Sequence, residues 1–283
     1  MGKNILEIQN LTKYYGKTKG VENLSLKLEE GEIFGFIGPN GAGKSTTIRS
    51  IMNLINKTSG KVLVENKEFN KDDIEIKEKI GYLPSEIYLY DDLTVKEMLD
   101  YHEGFYKKEI HKRRTELVKR LELDEKKKIE DLSLGNLKKL GIILAFMHEP
   151  KILILDEPTS GLDPSTAEDI HHLIEAERKR GKTIFLTTHN MTEAEKLCDH
   201  IALLNEGVIV EYGTVNDICK RFYHQRLFNV ELNNGEKISI PQNESAADRI
   251  FQLLKQNQIA TIHSAEPNLE TIFLELTGRT LAV

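Results

Sequence analysis

A glycine-rich stretch near the N-terminus has the residue types and the spacing to bind phosphate groups. From Gly38 to Thr46 it fits the pattern Gly-x-x-x-x-Gly-Lys-Ser. Glycines let several backbone N–H groups turn toward one anion without a clash from a Cβ atom. The Lys44 ammonium would reach the β- and γ-phosphates of a nucleotide, and the Ser45 hydroxyl would hold Mg²⁺. The predicted nucleotide-binding residues are Gly38, Asn40, Gly41, Gly43, Lys44, Ser45, Thr46 and Thr47.

The segments on both sides supply the context that such a site requires. Residues 33–37 form a short apolar run typical of a buried strand, and residues 48–55 place apolar side chains at helical spacing. The positive end of that helix would face the anion. A glycine-rich turn without a ligand is the alternative, but four fixed residues match by chance in only about one window in 10⁴ to 10⁵.

Two acidic residues, Asp156 and Glu157, end the apolar run 152–155. A phosphate-loop enzyme needs a carboxylate at such a strand end to hold Mg²⁺, and Asp156 suits that position. Glu157 could accept a proton from the attacking water. An acidic turn before Pro158 would explain the pair equally well alone, but the glycine-rich stretch upstream favours the metal-binding and catalytic roles.

His189 follows another apolar strand, residues 184–188. Because it stands at the carboxyl end of a strand, it would share the same crevice as the acidic pair. There it could donate a hydrogen bond to a γ-phosphate oxygen and orient the water. A lone histidine is more often a structural residue, so the residues by themselves favour that plainer role.

The elements that must position these residues predict an α/β protein. Alternation at residues 5–8 predicts an edge strand, and residues 24–28 predict a second strand, so a small antiparallel β-subdomain precedes the nucleotide site. From residue 152 to residue 210, strands alternate with helices, which indicates a mostly parallel sheet with its ligand at the carboxyl ends of the strands. The expected core is that of a P-loop NTPase.

Two further segments complete the predicted architecture. Residues 90–148 read as an inserted helical subdomain, whose first helix begins at a capping box of Thr94 and Glu97. Residues 221–283 read as a small α/β C-terminal appendage, with a hairpin at Asn233-Asn234-Gly235. We therefore expect an ATPase-type domain over residues 1–220 and a separate interaction or regulatory module after it.

Composition excludes several classes of protein. The chain of 283 residues has a net charge of −6, which argues against a general nucleic-acid binder. Its two cysteines, Cys198 and Cys219, have no metal-ligand spacing and suit a reduced, cytosolic protein. No apolar run approaches the ~20 residues that cross a bilayer. A membrane role would therefore require a separate partner chain.

A basic window interrupts this acidic chain. Residues 107–128 hold ten Lys or Arg against five acids, a net charge of +5. A solvated helix face is the favoured interpretation. Attraction to an anionic membrane surface or to an acidic partner segment is the alternative hypothesis.

The order of these segments resembles the ATP-binding cassette (ABC) family, over roughly residues 4–220. The glycine-rich stretch is similar to the Walker A loop of that family. Residues 152–157 are similar to Walker B followed by the catalytic glutamate. Residues 160–163 match the D-loop, and His189 matches the switch histidine.

Three other segments carry the same resemblance. Residues 132–136, Leu-Ser-Leu-Gly-Asn, stand where the family signature Leu-Ser-Gly-Gly-Gln belongs. Tyr15 matches the aromatic residue that stacks on adenine, with Tyr14 as the neighbouring candidate. The sequence of residues 267–278 is similar to the corresponding segment of cassettes of bacterial exporters, including those linked to peptide-antibiotic resistance.

The resemblance implies an ATPase that works as a dimer. Two ATP molecules, with Mg²⁺, would be sandwiched between two cassettes, as a homodimer or with a similar chain. Ser133 and the Gly135 backbone would contact a γ-phosphate across the interface, with Asp163 also at that interface. An integral membrane permease, an exporter by the tail resemblance, would convert hydrolysis into transport, with the cassette on the cytoplasmic face of the membrane. No nucleic-acid partner is expected.

Two departures from the family pattern affect this expectation. Ser85 stands where the Q-loop usually has glutamine, and serine is too short to make the same Mg²⁺ contact, although a water could bridge. Leu134 replaces the first glycine of the signature, where the dimer packs closely, and Asn136 replaces its glutamine. We expect weak basal hydrolysis and loose dimerisation without the membrane partner.

Two other functions compete with the transport ATPase. A soluble ABC ATPase acting on nucleic acid or ribosomes would usually carry two cassettes or a long coiled-coil insertion, and this sequence shows neither. A soluble nucleotide-dependent switch without transport is kept open by Ser85 and Leu134. Glu157 and His189 argue against that switch, because both hydrolytic roles are filled.

Overall fold

The computed structural model describes residues 3–106, 109–222, 227–265 and 268–278. By its internal contacts the chain divides into two compact units, Met1–Tyr212 and Gly213–Val283. The predicted division into folding domains after residue 220 stays a prediction.

Thirteen strands are assigned within the described residues. In chain order they are β1 (Asn4–Tyr15), β2 (Thr18–Glu29), β3 (Ile33–Ile37), β4 (Ser59–Val64), β5 (Lys67–Glu68), β6 (Ile80–Leu83), β7 (Ile152–Asp156), β8 (Thr183–Thr188), β9 (His200–Asn205), β10 (Val208–Thr214), β11 (Leu227–Leu232), β12 (Lys237–Pro241) and β13 (Ile259–Ala265).

Ten α-helices are assigned over the same described ranges, with one short 3₁₀ turn at Ile129–Asp131. The helices are α1 (Lys44–Ile51), α2 (Ile74–Lys77), α3 (Val95–Glu103), α4 (His111–Arg120), α5 (Leu134–Phe146), α6 (Pro164–Lys179), α7 (Met191–Leu197), α8 (Val215–Arg221), α9 (Glu244–Lys255) and α10 (Leu269–Thr277).

The central sheet of the first unit is the element that places the site. Its strand order is β10-β9-β3-β8-β7-β6, and the pairings from β9 through β6 are parallel. Strands β3, β7 and β8 are buried along their whole length, because parallel strands inside such a sheet have both faces covered. The predicted α/β fold with a mostly parallel sheet is confirmed.

The N-terminal sheet is antiparallel and has the order β2-β1-β4-β5. The prediction that residues 5–8 form an edge strand is wrong. They lie in β1, which pairs with β2 on one side and β4 on the other. The alternation of apolar and polar residues indicates that one face of the strand is buried. It does not indicate whether one or two other strands pair with it.

The inserted segment between β6 and β7 is helical, as predicted. Thr94 and Glu97 form the expected capping box at the start of α3. Helices α3, α4 and α5 bury their apolar faces in one core with β7 and β8. This packing joins the helical insertion to the sheet that carries the site.

The basic window does not form a wholly solvated face. Arg113 and Arg114 are buried in α4. Arg113 pairs with Glu177, and Arg114 pairs with Asp100 and, at 2.9 Å, with Glu125. The favoured interpretation is therefore wrong for these two arginines, because buried guanidinium groups require paired carboxylates.

The second unit contains a three-stranded antiparallel sheet of order β12-β11-β13. The hairpin predicted at residues 233–235 joins β11 to β12. One hydrophobic cluster of this unit is formed by the buried residues Val230, Ile240 and Ala246. Among the described helices of both units, none is long and apolar enough to cross a membrane.

Candidate functional site

One cavity gathers most of the residues that the sequence singled out. It has a volume of about 540 Å³ and lies beyond the carboxyl ends of β3, β6, β7 and β8. Predicted residues on its wall are Tyr15, Asn40, Gly41, Gly43, Lys44, Ser45, Thr46, Ser85, Glu157 and His189. Parallel strands bring these distant residues together, because their carboxyl ends meet at one edge of the sheet.

The glycine-rich loop runs from β3 to α1 at the floor of this cavity. Gly43 has φ of 108°, and a Cβ atom there would lie 2.7 Å from the Gly20 carbonyl oxygen. At Gly38 a Cβ atom would lie 2.4 Å from the Leu204 carbonyl oxygen. Gly43 is the N-cap residue of helix α1 and supplies no side-chain cap, so an anion can accept the first-turn N–H groups.

Lys44 is folded back over the loop and is nearly buried. Its Nζ donates to the carbonyl oxygens of Gly38 at 2.7 Å and Pro39 at 3.3 Å. The same Nζ lies 3.1 Å from Glu157 Oε1. The loop therefore holds its own cation, and that cation is paired with the candidate catalytic carboxylate.

Glu157 is held by three neighbours. Its backbone has φ of 53°, and its N–H donates to the Thr187 carbonyl oxygen and to Thr187 Oγ1. Its Oε2 lies 2.7 Å from His189 Nδ1, and its Oε1 faces Lys44. An L-residue in this left-handed region is strained, and such strain is typical of positioned functional groups.

Asp156 lies one residue before, fully buried and outside the cavity wall. Its Oδ1 accepts a 2.6 Å hydrogen bond from Thr187 Oγ1. A carboxylate at this strand end and the Ser45 hydroxyl on the cavity wall are hard oxygen ligands, the kind that Mg²⁺ prefers. These donors fit Mg²⁺, which Ser45 and Asp156 would hold.

The remaining predicted nucleotide residues divide between the rim and the loop interior. Tyr15 is 47% exposed at the rim, with Lys13 Nζ 4.8 Å from its ring centroid. Tyr14 is not on the cavity wall, and its hydroxyl donates to Glu22. Thr47 is buried, and its hydroxyl donates to the Gly43 carbonyl oxygen.

The predicted interface residues lie away from the cavity wall. Ser133 caps α5 by accepting the Asn136 N–H, and Asp163 caps α6 by accepting the N–H groups of Ser165 and Thr166. A Cβ atom on Gly135 would have only ordinary contacts, at 3.9 Å and beyond. Among the described residues, no neighbour requires glycine at that position.

Of the two residues that depart from the family signature, Leu134 has the more exposed side chain. Its side chain is 57% exposed, lines the cavity, and lies 3.0 Å from where a Cβ atom of Gly161 would stand. Leu134 therefore brings the signature end of α5 into contact with the loop after β7.

A buried acid that sequence reasoning missed organises the loops around Glu157. Glu193 accepts hydrogen bonds from Thr188 and Thr159, and it lies 2.7 Å from His171 Nε2. Burial raises the pKa of Glu193, but the hydrogen bonds from His171, Thr159 and Thr188 outweigh burial and leave that pKa lowered. One feature of the sequence indicated that Glu193 is buried: it shares the buried face of helix α7 with Met191 and Ala194.

A second residue that was missed is Lys138, on α5. It is 3% exposed, lines the cavity, and donates from Nζ to the Ser85 carbonyl oxygen at 3.0 Å. Desolvation lowers the pKa of Lys138, while the charges of Asp156 and Glu157 act in the opposite direction. Its spacing to the buried Gly141 and Ile142 marks it as a core-facing position of the helix.

Comparison with known proteins gives a consistent result. A family model described as "ABC transporter" matches residues 21–160. The linearmycin resistance ATP-binding protein LnrL of Bacillus subtilis is 35% identical, covering 98% of this chain and 99% of its own. The bacitracin transport ATP-binding protein BcrA of Bacillus licheniformis is 33% identical, with coverages of 97% and 97%.

Solved structures agree with the fold. One described as the ATP-binding subunit of an ABC transporter superposes with a TM-score of 0.72 at 29% identity, covering 77% of this chain and 93% of the other. A dimeric cassette, MJ0796 bound to ADP and Pi, superposes with a TM-score of 0.67 at 28% identity, covering 74% and 98%.

The fold and the cleft thus define an ABC-type nucleotide-binding domain. The chain belongs to the ABC transporter family, and within it to the ATP-binding subunits.

Proposed function

We propose that this chain hydrolyses ATP to power a separate integral membrane permease, and that the permease is an exporter. The observation that carries the proposal is Glu157, whose carboxylate stands in the nucleotide cleft between Lys44 Nζ at 3.1 Å and His189 Nδ1 at 2.7 Å. These two contacts fix the carboxylate in the cleft, where it is positioned to accept a proton from water.

The roles of the chain's own residues follow from these contacts. An incoming triphosphate competes with Glu157 for the Lys44 ammonium, so Glu157 Oε1 becomes free to accept the proton of the attacking water. His189 keeps Oε2 in place and orients that water against the γ-phosphate. Mg²⁺, when held by Ser45 and Asp156, would neutralise part of the phosphate charge.

The nucleotide contacts beyond catalysis extend this assignment. Tyr15 stacks on the base at the rim, as its exposure allows. The loop residues around the phosphates are Gly38, Asn40, Gly41, Gly43, Thr46 and Thr47. Ser85 has at most a weak, water-bridged part in the metal site.

Dimerisation completes the site. Ser133, Gly135 and Asp163 lie off the cavity wall of their own chain, and we assign them to nucleotide bound by a second cassette. A dimeric structural neighbour supports this arrangement. We propose a homodimer or a pair with a similar chain, in which Leu134 loosens the contact.

The membrane partner and the direction of transport rest on the relatives. LnrL is described as a linearmycin resistance protein, BcrA as a bacitracin transport protein, and SrtF of Streptococcus pyogenes as a lantibiotic transport protein. We propose that this chain likewise serves efflux of an antibiotic-type cargo, docked on a permease at the cytoplasmic face of the membrane, with no nucleic-acid partner.

The test is phosphate release with Mg-ATP by the wild type and by Glu157→Gln. Protein concentrations should bracket dimer formation. We expect release to rise faster than linearly with protein, and the variant to lose turnover by about 10²-fold or more while still dimerising with ATP. Wild-type turnover that Glu157→Gln leaves intact would contradict the assignment of Glu157.

A further inference from the structure

The cleft contains a buried lysine that the glycine-rich loop does not supply. Lys138 belongs to α5, in the helical insertion, yet it lines the same cavity as Lys44, Ser85 and Glu157. Its side chain is 3% exposed. Burying an ammonium is costly unless its charge is compensated, so this position calls for an anionic or strongly polar partner.

The partners of Lys138 fall short of what such a group requires. An ammonium carries three N–H donors. Among the described residues, the one hydrogen bond of Lys138 Nζ goes to the Ser85 carbonyl oxygen, at 3.0 Å. No carboxylate lies within ion-pair distance of it in the described chain, although Asp156 and Glu157 act on it through space. At least two donors therefore remain for a ligand in the cavity.

The balance of charge in the cleft identifies that ligand. Three lysines line the cavity, Lys19, Lys44 and Lys138. Two carboxylates line it with them, those of Glu86 and Glu157. A triphosphate adds several negative charges, and Mg²⁺ offsets only two of them. Lys44 is shared among the loop carbonyls, Glu157 and the incoming phosphates, so a second buried cation, from the helical insertion, would further stabilise the terminal phosphate.

We propose that Lys138 is a second phosphate-binding lysine, which contacts the terminal phosphate of ATP and so distinguishes ATP from ADP. The Ser85 carbonyl oxygen anchors the ammonium at the cavity wall. This inference rests on the proposed ATP-binding function and adds a residue to it.

The test compares binding of ADP with binding of the non-hydrolysable analogue AMP-PNP by titration calorimetry. The variants are Lys138→Gln, which keeps a donor for Ser85 but loses the charge, and Lys139→Gln, the neighbouring half-buried lysine. We expect Lys138→Gln to lose about tenfold in AMP-PNP affinity, which is 1.4 kcal/mol, with ADP affinity within about twofold of wild type. Lys139→Gln should leave both affinities unchanged.

Repeating both titrations in EDTA removes the metal as an intermediary. We expect the tenfold loss to persist there, because the contact runs from Lys138 to phosphate directly. A loss confined to Mg²⁺ buffers, or an equal loss for ADP and AMP-PNP, would overturn the inference. If Lys138→Gln lowers the melting temperature steeply, Lys138→Arg provides the second variant, and it should restore the preference for AMP-PNP.

The failure of the proposed function would look different. If the wild-type protein binds neither nucleotide, the result contradicts the proposed ATP site and therefore also the role of Lys138. If the wild-type protein binds both nucleotides and Lys138→Gln has the same ratio of AMP-PNP to ADP affinity, the result contradicts only the assignment of Lys138.

Discussion

The two walls of the nucleotide cleft are built in different ways. The wall formed by the glycine-rich loop and the ends of β7 and β8 relies on backbone geometry: Gly43 and Glu157 have positive φ, and α1 has no side-chain cap. The wall formed by Ser85 and α5 relies on side chains, with Lys138 bound to the Ser85 carbonyl oxygen and Leu134 projecting into the cavity.

The difference shows why one wall follows the family pattern and the other departs from it. Backbone N–H groups and left-handed positions tolerate few substitutions, because a Cβ atom at Gly38 or Gly43 would collide with carbonyl oxygens. Side-chain contacts can be exchanged for others of similar charge and size. The departures at Ser85 and Leu134 lie on the side-chain wall, and Asn136 belongs to the same helix as Leu134.

The largest effect should come from the loop lysine. Lys44→Ala removes the cation bound to Gly38, Pro39 and Glu157, so we expect turnover to fall by about 10²- to 10³-fold. Phosphate release and nucleotide titration measure the loss. Lys179→Ala, an exposed lysine of α6, is the control. Equal turnover in Lys44→Ala and wild type would contradict the role of the glycine-rich loop in hydrolysis.

A smaller effect is expected from the buried acid behind the loops. Glu193→Gln weakens the bonds from His171, Thr159 and Thr188, and should lower the free energy of unfolding by about 1–3 kcal/mol. Chemical denaturation measures it, with Glu175→Gln on α6 as the control. Turnover should fall as well, because Thr188 immediately precedes His189.

The pH dependence of that variant has a definite sign. The hydrogen bond to Glu193 raises the pKa of His171 above its usual 6.5. Its stabilisation is therefore complete below pH 6.5 and is lost as the pH rises through the folded-state pKa. The stability gap between wild type and Glu193→Gln should narrow with rising pH, and a gap that widens would contradict the pairing.

Ser85→Gln tests the side-chain wall and should have a modest effect. The longer amide can approach the metal site, so we expect turnover to rise by roughly two- to tenfold, the range of one neutral hydrogen bond. The measurement is ATPase rate at fixed protein concentration, with Ser245→Gln in the second unit as the control. A wild type that is already fast, and is unchanged by the substitution, would count against the importance of Ser85.

The smallest effect concerns stability far from the cleft. Hydrogen bonds from Lys151 and Lys79 lower the pKa of Glu65 from 4.5 to about 2. Its stabilisation is present above pH 4.5 and is lost as the pH falls through about 2. Glu65→Gln should therefore reduce thermal stability slightly at pH 6 and flatten its decline in acid, while Glu75→Gln should not. A decline as steep as that of wild type would contradict the ion pairs.

Much of the fold could be predicted because its signals are local. Apolar runs predicted β3, β7 and β8, and Thr94 with Glu97 predicted the start of α3. The number of neighbours of β1 could not be predicted, because strand pairing is made between segments distant in sequence. The burial of Arg113 and Arg114 was missed for the same reason, since their carboxylate partners include Glu177 and Glu125.

The amino-acid sequence by itself determined the loop wall of the cleft. Gly38, Gly43 and Lys44 have a fixed spacing on one strand–turn–helix segment, so their mutual placement depends on local backbone geometry alone. Only the tertiary structure decided the rest. Glu157 meets Lys44, and Lys138 meets Ser85, because the parallel sheet and the helical insertion bring separate segments to one edge, and the spacing of residues along the chain does not encode those distances.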